Sequence, residues 1–256
     1  MSEHDITIVI PARMASSRYP GKPLVPIMGI PLVEHVRRRA MLAGAHRVVV
    51  ATCDAEIKAA VEQAGGHAVM TKDTHQRCTD RIEEAMEQLP GDIVVMVQGD
   101  EPLLMPEAIT AVAAPLLADP SLPIVNLLSE LESEADYANP NIVKASCNLN
   151  GDVIFFSRAP IPFFREQVKV PVYRQTGIMA FRKEALNRFS ALHETALERA
   201  ESVDMLRAIE HGMRIAGVVV NYVTLGVDRP SDVALVEAVF ANDPEQNRLF
   251  QLTSRQ

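Results

Sequence analysis

The chain has 256 residues, 48% of them hydrophobic, with a formal net charge of -8 and three cysteines. That size and composition exclude disorder and suit one large domain, or a main domain with a smaller lobe, around a sizeable core. The acidic balance excludes a surface built for nucleic acid or an anionic membrane. Cys53, Cys78 and Cys147 lack CxxC spacing, which excludes a disulfide framework or zinc site and implies a reducing cytoplasm.

The polar residues Met1 to Asp5 run straight into an apolar strand expected at Ile6–Ile10, so no signal peptide is expected. No later apolar run reaches the roughly 20 residues of a membrane span. The strand leads into a loop, from Pro11 to Leu24, that carries Arg13, Arg18 and Lys22. Cations gathered at the carboxyl end of a first strand, in an otherwise acidic chain, suit the oxygens of a nucleoside triphosphate. Arg supplies forked donors and Lys a point charge. Two commoner phosphate loops are excluded. A P-loop needs Gly five residues before its Gly-Lys and Ser or Thr after, where Ser16 and Pro23 stand here. A dinucleotide turn needs glycines where Pro11-Ala12-Arg13 stands. Side chains, not close-approaching backbone, must hold the phosphates.

After Pro31, which suits a first helical turn, Leu32, Val33, Val36, Ala40 and Ala43 recur at helical spacing. Arg37, Arg38 and Arg39 crowd the other side and read as a solvated face. Apolar runs at Val48–Ala51, Ala68–Met70, Ile93–Val97 and Ile124–Leu128, separated by helical segments, make a parallel α/β sheet buried on both faces. Gln98-Gly99-Asp100 follows one of these strands. Asp100 therefore stands at the carboxyl end of the sheet, where open α/β folds bind ligands. An aspartate there suits Mg²⁺, which takes one or two carboxylates and completes its shell with phosphate oxygens and water. Past residue 130 come shorter, mixed strands at Lys144–Leu149, Val153–Phe156 and Gly177–Phe181, around a proline-rich loop from Pro160 to Pro171. They suggest a smaller lobe. Helices at Lys183–Phe189 and Leu197–His211, a strand at Ile215–Tyr222 and a helix at Pro230–Ala241 follow. Asp228 is a second carboxylate at a strand end. Aspartates before helices are also favoured as caps, so residue type alone leaves capping open beside metal binding. The tail from Asn242 to Gln256 reads as polar and peripheral, although Leu249, Phe250 and Leu252 could dock.

Pro11-Ala12-Arg13 with Arg18-Tyr19-Pro20-Gly21-Lys22-Pro23-Leu24 resembles the signature of the 3-deoxy-manno-octulosonate (KDO) cytidylyltransferases, or CMP-KDO synthetases. The likeness continues through Thr79-Asp80-Arg81, Val97-Gln98-Gly99-Asp100-Glu101-Pro102, Asn139-Pro140-Asn141, Phe156-Ser157-Arg158 and Gly226-Val227-Asp228-Arg229-Pro230. It implies a Rossmann-like, mostly parallel sheet flanked by helices, with a smaller mixed lobe. One nucleotidyltransferase domain would span 1–256, nucleotide binding mainly in 1–130 and acceptor binding and dimerisation mainly in 131–225. The resemblance implies that Pro11, Ala12, Arg13, Lys22, Thr79, Asp80, Arg81, Gln98 and Asp100 hold CTP. It implies that Gln98, Arg158, Gln175, Met179, Glu201 and Asp204 face the acceptor, Arg158 as partner of its carboxylate, and that Asp100 and Asp228 hold Mg²⁺. Arg13, Lys22, Asp100 and Asp228 form the implied catalytic set.

Some residues depart from the family pattern. Arg77 and Cys78 replace Ser-Gly in His75 to Arg81; Arg77 either contacts phosphate or points to water, and Cys78 is no nucleophile, since direct transfer needs no covalent intermediate. Gln175 and Met179 replace a His and a Tyr, and Met205 a Gln, losing donors through which a sugar site discriminates. The expected activity is CMP transfer from CTP to a 3-deoxy-2-ulosonic acid, KDO or a close analogue, with pyrophosphate release, for lipopolysaccharide or capsule biosynthesis, by a cytoplasmic homodimer. Two alternatives stand beside it. One is a CMP transferase for another anionic acceptor, such as a modified ulosonic acid or a phosphonate. The other is an inert nucleotide-binding regulator, against which the intact metal and leaving-group residues speak.

Overall fold

The computed structural model describes residues 5–16, 18–131, 133–221 and 225–254. Met1 to His4 ahead of the first strand, Ser17 of the cationic loop, Tyr222 at the end of the expected last strand, and Arg255 and Gln256 lie outside the described residues. The chain divides into two compact units, Met1–Thr110 with Thr224–Gln256, and Ala111–Val223. The second begins some way before the change of character expected at residue 131.

The first unit opens with β1 (Ile6–Ala12), a 3₁₀ turn (Lys22–Leu24), the short pair β2 (Pro26–Ile27) and β3 (Ile30–Pro31), and α1 (Leu32–Met41). Then come β4 (Arg47–Thr52), α2 (Ala55–Gln63), β5 (His67–Met70), α3 (Cys78–Glu87), β6 (Ile93–Met96) and the first turn of α4 (Pro106–Ala118), whose remainder belongs to the second unit. Strands β6, β1, β4 and β5 lie side by side, all parallel. Ile8, Val9, Ile10, Val49, Val50, Ile93, Val94 and Val95 are inaccessible, as expected for parallel strands covered on both faces. The parallel register brings the ends of β1, β4 and β6 to one edge, which is the edge the cationic loop occupies.

The second unit contains β7 (Ile124–Glu130), α5 (Glu134–Ala138), β8 (Lys144–Cys147), β9 (Val153–Ser157), β10 (Tyr173–Arg182), α6 (Lys183–Ser190), α7 (Ala196–Glu201), α8 (Met205–Glu210) and β11 (Ile215–Val220). Its sheet is mixed. β7 runs parallel to β11 and antiparallel to β10, so the Ile124–Leu128 run, apolar except for buried Asn126, is not part of an all-parallel set. β8 and β9 form an antiparallel pair, and β8 also pairs with β10. The chain then returns to the first unit with α9 (Pro230–Asn242) and α10 (Pro244–Thr253). No helix among the described residues is long and apolar enough to cross a membrane.

Three local expectations are corrected. The arginines of α1 are not a solvated face: Arg39 is 0% exposed and Arg37 5%. Arg37 makes a two-pronged bond to buried Glu34, at 2.7 and 2.8 Å, and Arg38 joins the same carboxylate at 3.1 Å. Arg39 donates to Leu104 C=O and Gln246 Oε1 and lies over the Phe240 ring. Arg37 is covered by the turn after α2, where it donates to the Ala64 carbonyl, and Arg38 and Arg39 by α10, which also corrects the peripheral tail. Leu249 is buried, and Phe250 stacks with Phe240 at 5.2 Å and with His35 at 5.9 Å. A helical period shows which side chains share a face, but not whether a segment two hundred residues later covers it. Finally, the helix expected at Leu197–His211 is two helices, because Ser202 adopts a left-handed conformation at φ 52°.

Candidate functional site

The cationic loop starts where β1 ends and closes on itself. The Met14 carbonyl accepts the amides of Ser16 and Gly21, each at 2.9 Å, and Gly21 sits at φ 74°, a turn conformation that favours glycine. This returns the chain so that Arg13, at the start of the loop, and Lys22, just after it, line one cleft. Pro11, Ala12, Arg18, Gln98, Gly99, Asp100 and Asp228 line it too. Arg13 and Arg18 are exposed, so their forks are available to a ligand. Gly99 has a steric reason: a Cβ there would come within 2.8 Å of the Pro11 carbonyl. Only glycine lets the Gln98-Gly99-Asp100 segment lie this close to the end of β1.

Lys22 is the centre of the cleft. Its Nζ lies 2.6 Å from Asp100 Oδ2, 3.3 Å from Asp228 Oδ1 and 3.0 Å from the Val227 carbonyl, and the side chain is 14% exposed. Three oxygens, two of them anionic and delivered by segments 128 residues apart in sequence, thus surround one cation. The Val227 amide donates to the Asp100 carbonyl at 2.8 Å, tying the two segments together. Arg18 adds an exposed pair to Asp228 Oδ2 at 3.0 Å. Asp228 does not occupy the cap of α9, whose N-cap is Arg229, and its carboxylate meets Lys22 and Arg18. The amides of Asp228 and Arg229 are both taken, at 2.8 Å, by Asp232 in the first turn of α9. Burial pushes the Asp232 carboxyl up, but these two amides, Ser231 and Arg229 outweigh it and hold it below the usual range. Asp232 was missed by the sequence reading. The signal available was an acidic residue three after the helix-starting Arg229-Pro230 step, the spacing of a capping box.

A second, adjoining cleft shares Pro11, Ala12, Arg13 and Cys78 with the first and adds His75, Gln76, Arg77 and Arg81. Its wall is the segment between β5 and α3, held by α3 itself. Arg81, 3% exposed, donates to Thr71 Oγ1 and to the Lys72 carbonyl. Glu84 pairs with His75 and accepts the Lys72 amide at 2.9 Å. Burial works against the charged form of Glu84, yet the bonds from His75 and the Lys72 amide win and its carboxyl titrates below the usual value. Thr79 is buried and Asp80 partly so, both in the first turn of α3. Cys78, where the resemblance expects glycine, points its Sγ at Gln98 Oε1, 3.6 Å away, and so joins the two clefts through side chains.

The residues expected at the acceptor, Gln98 apart, all lie in the second unit. Arg158 is not a free carboxylate clamp. Its Nε donates to the Glu201 carbonyl at 2.7 Å, Nη1 to Pro140 C=O at 3.1 Å and Nη2 to Ser202 C=O at 3.4 Å. Carbonyls at a helix end lack internal partners, and the Arg158 guanidinium supplies them for α7 where Ser202 breaks the helix. The Glu201 carboxylate is likewise taken, by Ser157 Oγ at 2.6 Å and the Arg158 amide at 2.8 Å. Buried Lys144 completes the knot, donating to the carbonyls of Asn139, Ile142 and Arg158 at 2.8, 2.7 and 2.6 Å. The Asn139-Pro140-Asn141 and Phe156-Ser157-Arg158 motifs are thus parts of one arrangement. Gln175 donates to Asn126 Oδ1 at 2.8 Å, and Met179 is 5% exposed. Asp204 stands at the start of α8.

Comparison with known proteins agrees with this geometry. A family model described as cytidylyltransferase matches residues 7–215. A 3-deoxy-manno-octulosonate cytidylyltransferase of Afipia carboxidovorans is 44% identical, covering 94% of this chain and 99% of the relative. One of Escherichia coli is 39% identical, covering 94% and 98%. Among solved structures, CMP:2-keto-3-deoxy-manno-octonic acid synthetase complexed with CTP aligns with a TM-score of 0.89 at 39% identity, over 93% of this chain and 99% of that one. A nucleotidyl transferase from Methanothermobacter thermautotroptrophicus aligns at 0.60 with 16% identity, over 93% and 98%, a likeness of fold.

Proposed function

This chain belongs to the 3-deoxy-manno-octulosonate cytidylyltransferases, and we propose that it transfers CMP from CTP to KDO with release of pyrophosphate, the activation that lipopolysaccharide or capsule biosynthesis requires. The observation that carries the reading is Lys22 held between Asp100 and Asp228 beside the exposed Arg13 and Arg18. The acceptor hydroxyl oxygen forms a bond to the α-phosphorus as the bond from that phosphorus to the bridging oxygen breaks; the hydroxyl proton passes to water, and pyrophosphate carries away the electron pair. Arg13, Arg18 and Lys22 supply fixed positive charge where the leaving group gains negative charge. Arg81, His75 and Gln76 border the adjoining cleft, assigned to the cytosine and ribose. Gln98 is assigned to the seam between nucleotide and acceptor. Gln175, Met179 and Asp204 are assigned to the sugar. Arg158 and Glu201 shape that region through the backbone they hold.

Mg²⁺ is the proposed cofactor, on Asp100 and Asp228. Two carboxylates and a carbonyl already converge on one cation, Lys22 Nζ, and all are hard oxygen donors of the kind Mg²⁺ takes. When bound, the ion supplies charge neutralisation and a template for acceptor and α-phosphate. A homodimer is also part of the reading, supported by the exposed apolar side chains Leu149, Phe163, Val168, Val170 and Val219 of the second unit. Cys53, Cys78 and Cys147 are not joined in disulfides, in keeping with a cytoplasmic protein.

The test is pyrophosphate release from CTP, UTP, ATP and GTP with KDO, with and without a chelator. CTP with KDO and magnesium is expected to be the productive combination. Equal rates with UTP would remove the cytidylyl assignment, and turnover with another anionic sugar in place of KDO would move the acceptor.

A further inference from the structure

Besides the pairs that Arg18 and Lys22 make with Asp100 and Asp228, a long-range polar bond to the end of β4 ties down the start of the cationic loop. Met14, its second residue, donates its amide to Asp54 Oδ2 at 2.7 Å, across 40 residues. The Met14 carbonyl collects Ser16 and Gly21, and a Cβ on Gly21 would rest 3.6 Å from the Met14 side chain. Two of the bonds that close the loop therefore converge on a residue held by Asp54, with Arg13 immediately before it and Lys22 immediately after Gly21. Asp54 also occupies the N-cap of α2, where an aspartate ordinarily bonds the first-turn amides of its own helix. Here its side chain makes no such bond. The carboxylate is turned to the loop, where it accepts from Met14 and, at 3.6 Å, from the neighbouring Cys53 thiol. The Asp54 amide is itself fixed by Thr52 Oγ1 at 3.1 Å, at the end of β4. The carboxylate thus stands on the rigid edge of the parallel sheet.

We propose that Asp54 is a positioning residue for triphosphate binding, which anchors the Arg13–Lys22 loop through the Met14 amide and so keeps its cations arranged before the nucleotide arrives. It touches neither substrate. The inference rests on the reading of that loop as the seat of the triphosphate.

Three variants separate anchoring from helix capping. Asp54→Ser keeps a good cap residue for α2 but is too short to reach Met14. Asp54→Asn keeps both the reach and an accepting oxygen. Asp54→Ala loses everything. Hydrogen exchange of the segment 13–21 in the free protein, kinetics with CTP and KDO, and thermal unfolding are measured for each. Loss of a hydrogen bond to a charged group corresponds to about tenfold in affinity. The expected result is a KM for CTP about tenfold higher and faster loop exchange in Asp54→Ser and Asp54→Ala, with the KM for KDO unchanged and Asp54→Asn close to wild type. Loop exchange in Asp54→Ser equal to wild type overturns the inference, whatever the substrate. So does Asp54→Asn as impaired as Asp54→Ala, or a loss shared equally by both substrates. A wild-type chain that releases no pyrophosphate from CTP overturns instead the functional reading, and the exchange measurement still decides the anchor.

Discussion

Asp100→Asn is the most direct probe of the site, because it keeps shape and removes one charge. In the structure Asp100 pairs with Lys22 at 2.6 Å, with the two side chains 30% and 14% exposed. Such a pair falls between an exposed one, worth about 0–1 kcal/mol, and a buried one whose breakage costs about 3–5 kcal/mol. Lys22 also keeps Asp228 and the Val227 carbonyl, so a loss of about 1–2 kcal/mol is expected, or roughly 2–8 °C in Tm for a chain of this size. The effect on turnover is far larger. Removing a carboxylate that fixes the charge balance at the reacting phosphate lowers kcat/KM on the order of 10²–10³-fold, about 3–4 kcal/mol of transition-state stabilisation. The assay is pyrophosphate release with CTP and KDO across a magnesium titration, with thermal unfolding of the same preparation. A variant within about threefold of wild-type kcat/KM at every magnesium concentration, combined with the expected fall in Tm, would refute the reasoning and leave Asp100 as a structural partner of Lys22.

Other perturbations separate the parts of the molecule. Asp232→Ala frees the amides of Asp228 and Arg229 and is expected to lower kcat/KM about tenfold while costing only about 1 kcal/mol as a lost cap; a stability loss without a kinetic one would show that Asp232 does not place Asp228. Glu198→Gln disturbs the buried two-pronged pair with Arg207 at 2.6 and 2.8 Å, and thermal unfolding is expected to show a loss of about 3–5 kcal/mol, with little change in KM for CTP. Glu84 contributes stability that is present above its unfolded value and lost as pH falls through its lowered folded value. The Tm difference between wild type and Glu84→Gln, present at neutral pH, is therefore expected to close below the ordinary glutamate value of 4.5. A difference that persists into that acid range would contradict the pairing with His75. Gln175→Leu leaves Asn126 Oδ1, in a fully buried side chain, without its donor and is expected to cost about 1–3 kcal/mol in denaturant unfolding.

The cationic cleft was legible in the sequence because it is local. An apolar strand followed by Arg13, Arg18 and Lys22, and a second followed by Gln98-Gly99-Asp100, place charged groups at strand ends by period and punctuation alone, and parallel pairing then brings those ends to one edge. Asp228 was legible from the resemblance and not from a strand end, since β11 stops at Val220. The sequence did not show that Lys22 stands between the two aspartates, because that depends on the turn at Gly21 and on the bond from the Val227 amide to the Asp100 carbonyl. The burial of Arg39 depends on α10 returning over α1, more than two hundred residues later, while Arg37 is covered by Glu34 and the turn at Ala64 to Gly66. The bonds of Arg158 and Glu201 to one another's backbone were not legible for a related reason. Residue type says what a guanidinium or carboxylate can bind, and only the tertiary structure decides which partner reaches it first. In the second unit backbone carbonyls and amides reach these groups, because the break at Ser202 exposes helix-end carbonyls that must be satisfied. Composition and spacing thus determined the kind of chemistry at the strand ends, and long-range closure decided which charged side chains face the ligand and which hold the chain in place.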